Sequence, residues 1–246
     1  MAIVKYNKKY TETLKEMLER FRLEYPEFKD SRLSYAGRLD PLAQGLMIIL
    51  SDDDLYNKEQ YLKRNKVYEV ECLLGFQTDS FDVLGILQHT SKPQQVDLNS
   101  IKEGIKKVQS VVAYPYPPYS SRTVSGKPLY QWAKEGRLAE ITIPKQSWNI
   151  KELEVLSIDT KSAQDVATMI NKAVSSVKGE FRQHEILTAW NDYFQNHPGE
   201  YVYTAQLRCA VGSGTYVRSI VHELGQQLGT GACCIKITRT HIEGIE

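Results

Sequence analysis

Four cysteines in 246 residues, Cys72, Cys209, Cys233 and Cys234, include no CxxC pair, so neither a zinc ribbon nor a redox dithiol is encoded. Each sits in an apolar, strand-like stretch (EVECLLG, AQLRCAV, GACCIKI), which predicts reduced, buried thiols. The histidines at 89, 184, 197, 222 and 241 form no HxxxH or HExxH pattern, and no metal is expected. No apolar run nears the ~18–20 residues that span a bilayer. The longest, LMIIL at 46–50, reads as a strand, and no membrane partner is expected. The first residues, MAIVKYNKKYTETLKEML, lack a sustained apolar stretch with a small-residue cleavage site, so no secretory signal is read. The expected compartment is the cytoplasm or an organelle. Net charge is lacking too: 31 Lys and Arg stand against 30 Asp and Glu. That balance excludes a chain that is basic all over, but not a local basic patch.

What is present describes an ordinary globular chain, 41% hydrophobic and 25% charged, long enough for one large or two small domains. Leu14, Leu18 and Phe21 recur at helical spacing within 10–23. Residues 25–45, with two prolines and two glycines among polar side chains, read as a loop. VYEVECLLG (67–75) reads as a strand, 98–110 as a helix, and YPYPPYSS (114–121) as neither helix nor central strand because proline removes donors. LYQWAKEG is a short helix, and ITI and NIKELEVLSID are strand-like. Ala163, Val166, Ala167, Ile170, Ala173, Val174 and Val177 form a clean helical stripe, repeated at Ile186, Leu187, Trp190 and Phe194. Residues 162–196 therefore read as a helical pair inserted between two strands, YVYTAQLRCAV (201–211) resuming strand chemistry at once. A glycine-led helix follows, with Val217, Ile220, Val221, Leu224 and Leu228 inward, and then the strand CCIKITRT. Elements mix without a βαβ rhythm, which predicts an α+β fold with a mixed sheet.

Three places carry unusual side chains. In AGRLDPLAQGLMIIL (36–50), Asp40 precedes proline and is thereby pushed onto an extended or turn backbone, with Arg38 two residues away. Gly37 and Gly45 permit special dihedrals or close approach. In GSGTYVRSIVHELG, glycines lead into a helix N-terminus that could hold an anion. The motif is not the GxxxxGK[ST] of a nucleotide loop. Arg218 lies in the first turns of that otherwise apolar helix, and Tyr68 lies at a charged-to-apolar transition in KVYEV. Taken singly, an Asp-Pro turn is usually just a turn, Arg218 is as readily a solvated arginine with a buried stem, and Tyr68 is more often plain core packing.

Taken in order they are more specific. AGRLDPLAQGLMIIL resembles the catalytic motif of the bacterial tRNA pseudouridine-55 synthases, the TruB family, close to G-x-L-D-P-x-A-x-G-x-L. RNKVYEVECLLGFQTDSFDVLG is similar to that family's K-x-Y and L-G-x-x-T-D-T-x-D-x-x-G segments. YPPYSSRTVSGKPLYQWAKEG, LRCAVGSGTYVRSIVHELGQQLG and CCIKITRT resemble the remaining landmarks, in family order over roughly 31–240 outside the insertion.

The resemblance implies a pseudouridine synthase fold: a mixed, mostly antiparallel sheet flanked by helices, spanning 1–246 with a helical insertion at about 160–198. It implies isomerisation of uridine 55 in the tRNA T-arm, with tRNA or another structured RNA as partner and no cofactor. Asp40 matches the catalytic aspartate, Tyr68 the tyrosine that stacks on the target base, and Arg218 the arginine paired with the aspartate. Substrate contacts are implied for Tyr35, Gly37, Arg38, Leu39, Tyr119, Lys127, Tyr216, Ile237 and Arg239. The alternative is a non-catalytic RNA-binding protein of the same fold.

Several positions depart from the family pattern. Against its N-terminal K-P-x-G-x-x-S, the nearest stretch is KYNKKYTET, with Tyr6 at the proline and Lys8 at the glycine. Tyr35 and Ala36 stand where His and Thr are usual, and AVGSGTY is one residue longer than S-K-G-T-Y and lacks its lysine. A C-terminal RNA-binding domain is expected to be absent, and the insertion to offer a surface to RNA or a protein partner, or simply to lengthen the scaffold. RNA binding is expected to rest on a local patch: Lys63, Arg64, Lys66, the 102–107 lysines, Arg122, Lys127, Lys134 and Arg137.

Overall fold

A computed structural model describes residues 3–91 and 96–245. The first part of the chain forms β1 (Ile3–Lys8), α1 (Leu14–Glu24), β2 (Leu33–Ala36), β3 (Ala43–Ser51), α2 (Lys58–Leu62) and β4 (Lys66–Leu74). Next come β5 (Phe76–Thr78), β6 (Leu87–Thr90), α3 (Leu98–Gln109), β7 (Ala113–Pro115), β8 (Thr123–Val124), β9 (Lys127–Pro128) and α4 (Leu129–Lys134). The rest forms β10 (Lys145–Ser147), β11 (Ile150–Ser162), α5 (Ala163–Ser176), α6 (Gln183–Asn196), β12 (Tyr201–Val211), α7 (Val217–Gln227) and β13 (Ala232–Ile242).

The main sheet has the order β1-β3-β13-β4-β12-β11, with β2 also paired to β3. Its neighbours are antiparallel except β13 and β3, which run parallel. The fold is thus α+β with a mixed, mostly antiparallel sheet. Strand alternation divides its two faces. On β4, Tyr68, Val70, Cys72 and Leu74 face the main core with α1, α3 and α7. Leu73, with Cys233 and Ile235 of β13, faces a second core built by α5 and α6.

Two readings of the sequence change. The loop expected over 25–45 contains β2, which pairs Leu33–Ala36 with the far half of β3. Four residues, one of them serine, carry too little alternation to announce a strand, and the strand exists because β3 offers it an edge. The ITI segment (141–143) is not a strand: Ile141 ends a 3₁₀ turn, and pairing falls instead on Lys145–Ser147 against Ala113–Pro115. The helical pair at 162–196 is present, and it is no loose appendage. Trp190, fully buried, donates from Nε1 to the Gly85 carbonyl at 3.2 Å, and Phe76 packs against Trp190, Tyr193 and Phe194.

Candidate active site

Asp40 opens a tight turn. The Ala43 amide donates to the Asp40 carbonyl at 2.9 Å, with Pro41 at the second position, where its fixed φ suits such a turn. Leu39 and Leu42 on either side are buried and pin the turn, leaving the Asp40 side chain 39% exposed. Beneath it lies the side chain of Lys8, 1% exposed, donating from Nζ to the carbonyls of Ala43 at 2.6 Å and Pro41 at 3.2 Å. Burial lowers the Lys8 ammonium to about 8, with Glu12, Asp40 and Glu16 opposing the shift.

The place of Lys8 corrects the expected N-terminal register. Lys8 has extended β1 geometry, whereas the residue in this segment whose backbone asks for glycine is Thr11, at φ 65°. With Lys8 first and Thr11 fourth, KKYT fits the K-P-x-G spacing, and Lys9 stands at the proline. Thr13 then caps α1 in a capping box with Glu16.

Opposite the turn, α7 delivers Arg218 in its first turn, 3% exposed. Its fork joins three separate segments. Nε donates to Asp40 Oδ2 at 2.8 Å, Nη1 to the Ser80 carbonyl at 2.6 Å and Nη2 to the Tyr119 carbonyl at 3.1 Å. Asp82 Oδ2 lies 3.7 Å from Nε. Burial opposes the Arg218 charge, but Asp40 and then Asp82 outweigh it and hold the guanidinium more firmly protonated than usual. Asp82, buried, is pushed up to about 6 by desolvation, against the pull of Arg218 and of the Ser80 hydroxyl. Ser80 Oγ donates to Asp82 Oδ1 at 2.6 Å, and the Leu84 amide donates to the same oxygen at 3.1 Å. Ser80, Asp82 and Lys8 escaped the residue-by-residue reading of the sequence, although the two acids of TDSFD carried the signal for Asp82.

Asp40, Tyr68 and Arg218 line one cavity of about 950 Å³, together with Gly37, Arg38, Leu39, Tyr119, Tyr216, Ile237 and Arg239. Two expected residues lie outside that lining. Tyr35, on β2, packs against the main core with the Lys58 ammonium 5.5 Å from its ring centroid. Lys127 is held by Glu135 and lies 3.8 Å from the Trp132 ring centroid, so its charge is spent locally. Arg239 lines the cavity but is 1% exposed: it donates from Nε to the Leu46 carbonyl at 2.6 Å and from Nη2 to Gly37 O at 3.4 Å. It holds the backbone entering the Asp40 turn. Gly37 sits at φ 79°, where other side chains are strained, and a Cβ there would stand a tight 3.2 Å from Arg239 Nη1.

The expected basic patch is divided. Lys63 and Lys134 are exposed and line the cavity, and Arg38 and Lys15 join them there. Lys66 is buried instead, donating to the carbonyls of Leu62 and Arg64, and burial lowers it to about 8. Arg64 donates to the carbonyls of Glu243 and Gly244, and Arg137 pairs with Glu135 and Glu140. All four cysteines are buried and unpaired. Among the described residues no helix is long and apolar enough to cross a membrane, and no cluster of His, Cys, Asp or Glu is arranged to hold a metal.

A sequence profile of the TruB family pseudouridylate synthase N-terminal domain matches residues 26–181. The chain is 30% identical over 217 residues to tRNA pseudouridine synthase B of Lactobacillus delbrueckii subsp. bulgaricus, covering 88% of this chain and 60% of that one. It is 24% identical over 243 residues to tRNA pseudouridine synthase B of Parabacteroides distasonis, covering 98% and 85%. It is 25% identical over 241 residues to tRNA pseudouridine synthase 4 of Saccharomyces cerevisiae, covering 85% and 60%. The chain thus spans about 60% of the length of the Lactobacillus and yeast relatives. In fold it is similar to a chain of the crystal structure of a Cbf5-Nop10-Gar1 complex, with a TM-score of 0.58 at 16% identity, over 98% of this chain and 48% of that one.

Proposed function

The chain belongs to the TruB family of pseudouridylate synthases, and from that premise we propose that it converts uridine to pseudouridine in RNA, at position 55 in the T-arm of tRNA. The observation that carries this reading is the Arg218–Asp40 pair at 2.8 Å, with Tyr68 lining the same cavity. The whole of 1–246 serves as one catalytic domain with a helical insertion, acting in the cytoplasm or an organelle.

A uridine stacked in folded RNA is out of reach, so it is first flipped out, at a cost of a few kcal/mol. Stacking on Tyr68 returns part of that, since an aromatic face is worth ~1–3 kcal/mol per base. Arg38, Lys63, Lys134 and Lys15 around the cavity meet backbone phosphates, a contact that weakens as salt rises.

Isomerisation breaks the C1′–N1 bond and forms C1′–C5. C5 loses its proton and N1 gains one, so atoms balance without oxidant or reductant. Asp40 is the carboxylate that acts on the sugar. It adds to C1′ to hold the ribose while the base turns, or it takes a sugar proton to give a glycal. Either role needs a carboxylate oxygen held in place. Arg218 supplies the orientation, its Nε directed at Oδ2 and its other donors fixed on two backbone carbonyls.

The decisive experiment is Asp40→Asn in the full chain, with uridine-to-pseudouridine conversion in a tRNA transcript as the readout. Loss of conversion with RNA binding retained supports the reading. Conversion at the wild-type rate removes Asp40 from the chemistry, and a wild-type chain that binds RNA but converts none is a binding protein.

A further inference from the structure

The six residues joining α5 to α6, 177–182, do not all project into solvent: Val177 is buried, and Phe181 and Arg182 are half-buried. They cross the edge of the cavity, where Phe181 and Arg182 join its lining. Gln183 stiffens this turn, donating to the carbonyls of Val177 at 3.0 Å and Gly179 at 2.7 Å and accepting from the Phe181 amide at 2.9 Å. Two exposed ties fasten its ends: Lys178 Nζ to Glu16 at 3.1 Å, and Lys134 Nζ to the Glu180 carbonyl at 3.1 Å.

The third tie is of another kind. Arg182 is half-buried and sits in the left-handed region, at φ 61° and ψ 33°, a conformation that costs any residue but glycine. What it gains is a forked pairing with Asp79, Nη1 to Oδ2 at 2.6 Å and Nη2 to Oδ1 at 3.1 Å. The same guanidinium lies 4.1 Å from the Tyr119 ring centroid. These two contacts fall on or next to the two residues whose carbonyls accept from Arg218. Asp79 adjoins Ser80, whose carbonyl takes Arg218 Nη1, and Tyr119 itself presents the carbonyl that takes Nη2.

We propose that Arg182, carried into the site by the inserted helical pair, is a positioning residue for Asp40: it fixes the Ser80 and Tyr119 carbonyls that hold Arg218, and Arg218 orients the carboxylate. The insertion is therefore a working wall of the active site. This rests on reading the cavity as the uridine-isomerising site.

The test compares Arg182→Ala and Arg182→Lys with the wild-type chain in three measurements. These are kcat and KM for uridine conversion in a tRNA transcript, the thermal midpoint, and the NMR signal of the Arg218 Nε–H that is bonded to Asp40. Misplacing a catalytic group by a fraction of an ångström to an ångström costs up to ~100-fold. R182A is accordingly expected to lower kcat ~10–100-fold with KM changed by less than about threefold, and to shift the Arg218 Nε–H signal. R182K, which keeps the charge over Tyr119 but loses the fork, recovers part of kcat. A lowered thermal midpoint with kcat and the Arg218 signal unchanged means that Arg182 only braces the scaffold, and overturns the proposal. If R182A does not fold, R182K carries the same comparison. If the wild-type chain converts no uridine, the functional reading fails by itself, and an unshifted Arg218 signal in either variant still overturns the positioning role.

Discussion

Lys8 Nζ donates to the Ala43 carbonyl at 2.6 Å, so the end of the first strand holds the exit of the Asp40 turn from a position 35 residues earlier. Replacing Lys8 with methionine keeps the apolar stem but strands the carbonyls of Ala43 and Pro41. The expected loss is about 1–3 kcal/mol of stability. The pH dependence identifies the residue. The folded ammonium lies near 8 against 10.5, so the unfolded chain binds more protons between those values and stability rises with pH across that window. Urea unfolding from pH 7.5 to 10.5 should show K8M with a smaller rise than wild type.

Asp82 behaves in the opposite sense at acid pH. Its folded value near 6, above the ordinary 3.8, means the native state holds the proton more tightly than the unfolded chain. Stability from this group is full below about 3.8 and is lost as pH climbs through 6. Asp82→Asn keeps an acceptor for Ser80 Oγ and the Leu84 amide while removing the titration. Unfolding curves between pH 4 and 6.5 should therefore show a wild-type decline, relative to D82N, as pH rises.

His222 opposes that trend. It stacks on Phe81 with centroids 3.8 Å apart, its Nδ1 is buried without a hydrogen-bond partner, and burial lowers it to about 4. The native state prefers the neutral ring, so stability is lost as pH falls from 6.5 toward 4. His222→Phe should remove that acid loss, and the difference between H222F and wild type should grow steadily on acidification over this range.

Gly45 is held by backbone alone. At φ 103° it lies where β3 passes β13, and a Cβ would overlap the carbonyl of Arg239. Gly45→Ala adds left-handed strain of about 1–2 kcal/mol to overpacking of about 1–3 kcal/mol. A loss of about 2–5 kcal/mol in denaturant titrations is expected, together with a fall in uridine conversion, because Arg239 holds the Leu46 and Gly37 carbonyls beside Asp40.

The sequence made Asp40, Tyr68 and Arg218 visible because each stands in a short motif whose residue types are unusual for their surroundings. The long strands and the helical pair were visible through periodicity. What it hid depended on distant partners. β2 exists only because β3 offers it an edge. Tyr35 is taken up by the main core and Lys58, and Lys127 is captured by Glu135. The repeated lysines of KYNKKYT allow two registers, and only the positive φ of Thr11 separates them. Nothing local in the inserted turn says that Arg182 reaches Asp79, 103 residues away.

Strand β13 lies between β3 and β4, with Ile237 opposite both Ala43 and Val70, and Arg239 opposite Tyr68. The Asp40 turn, which leads into β3, and Tyr68 on β4 are thus joined through a strand encoded long after both. During synthesis the ribosome must release residue 239 before the pocket can take shape. Every shorter nascent chain carries the Asp40 turn without the strand that joins it to Tyr68.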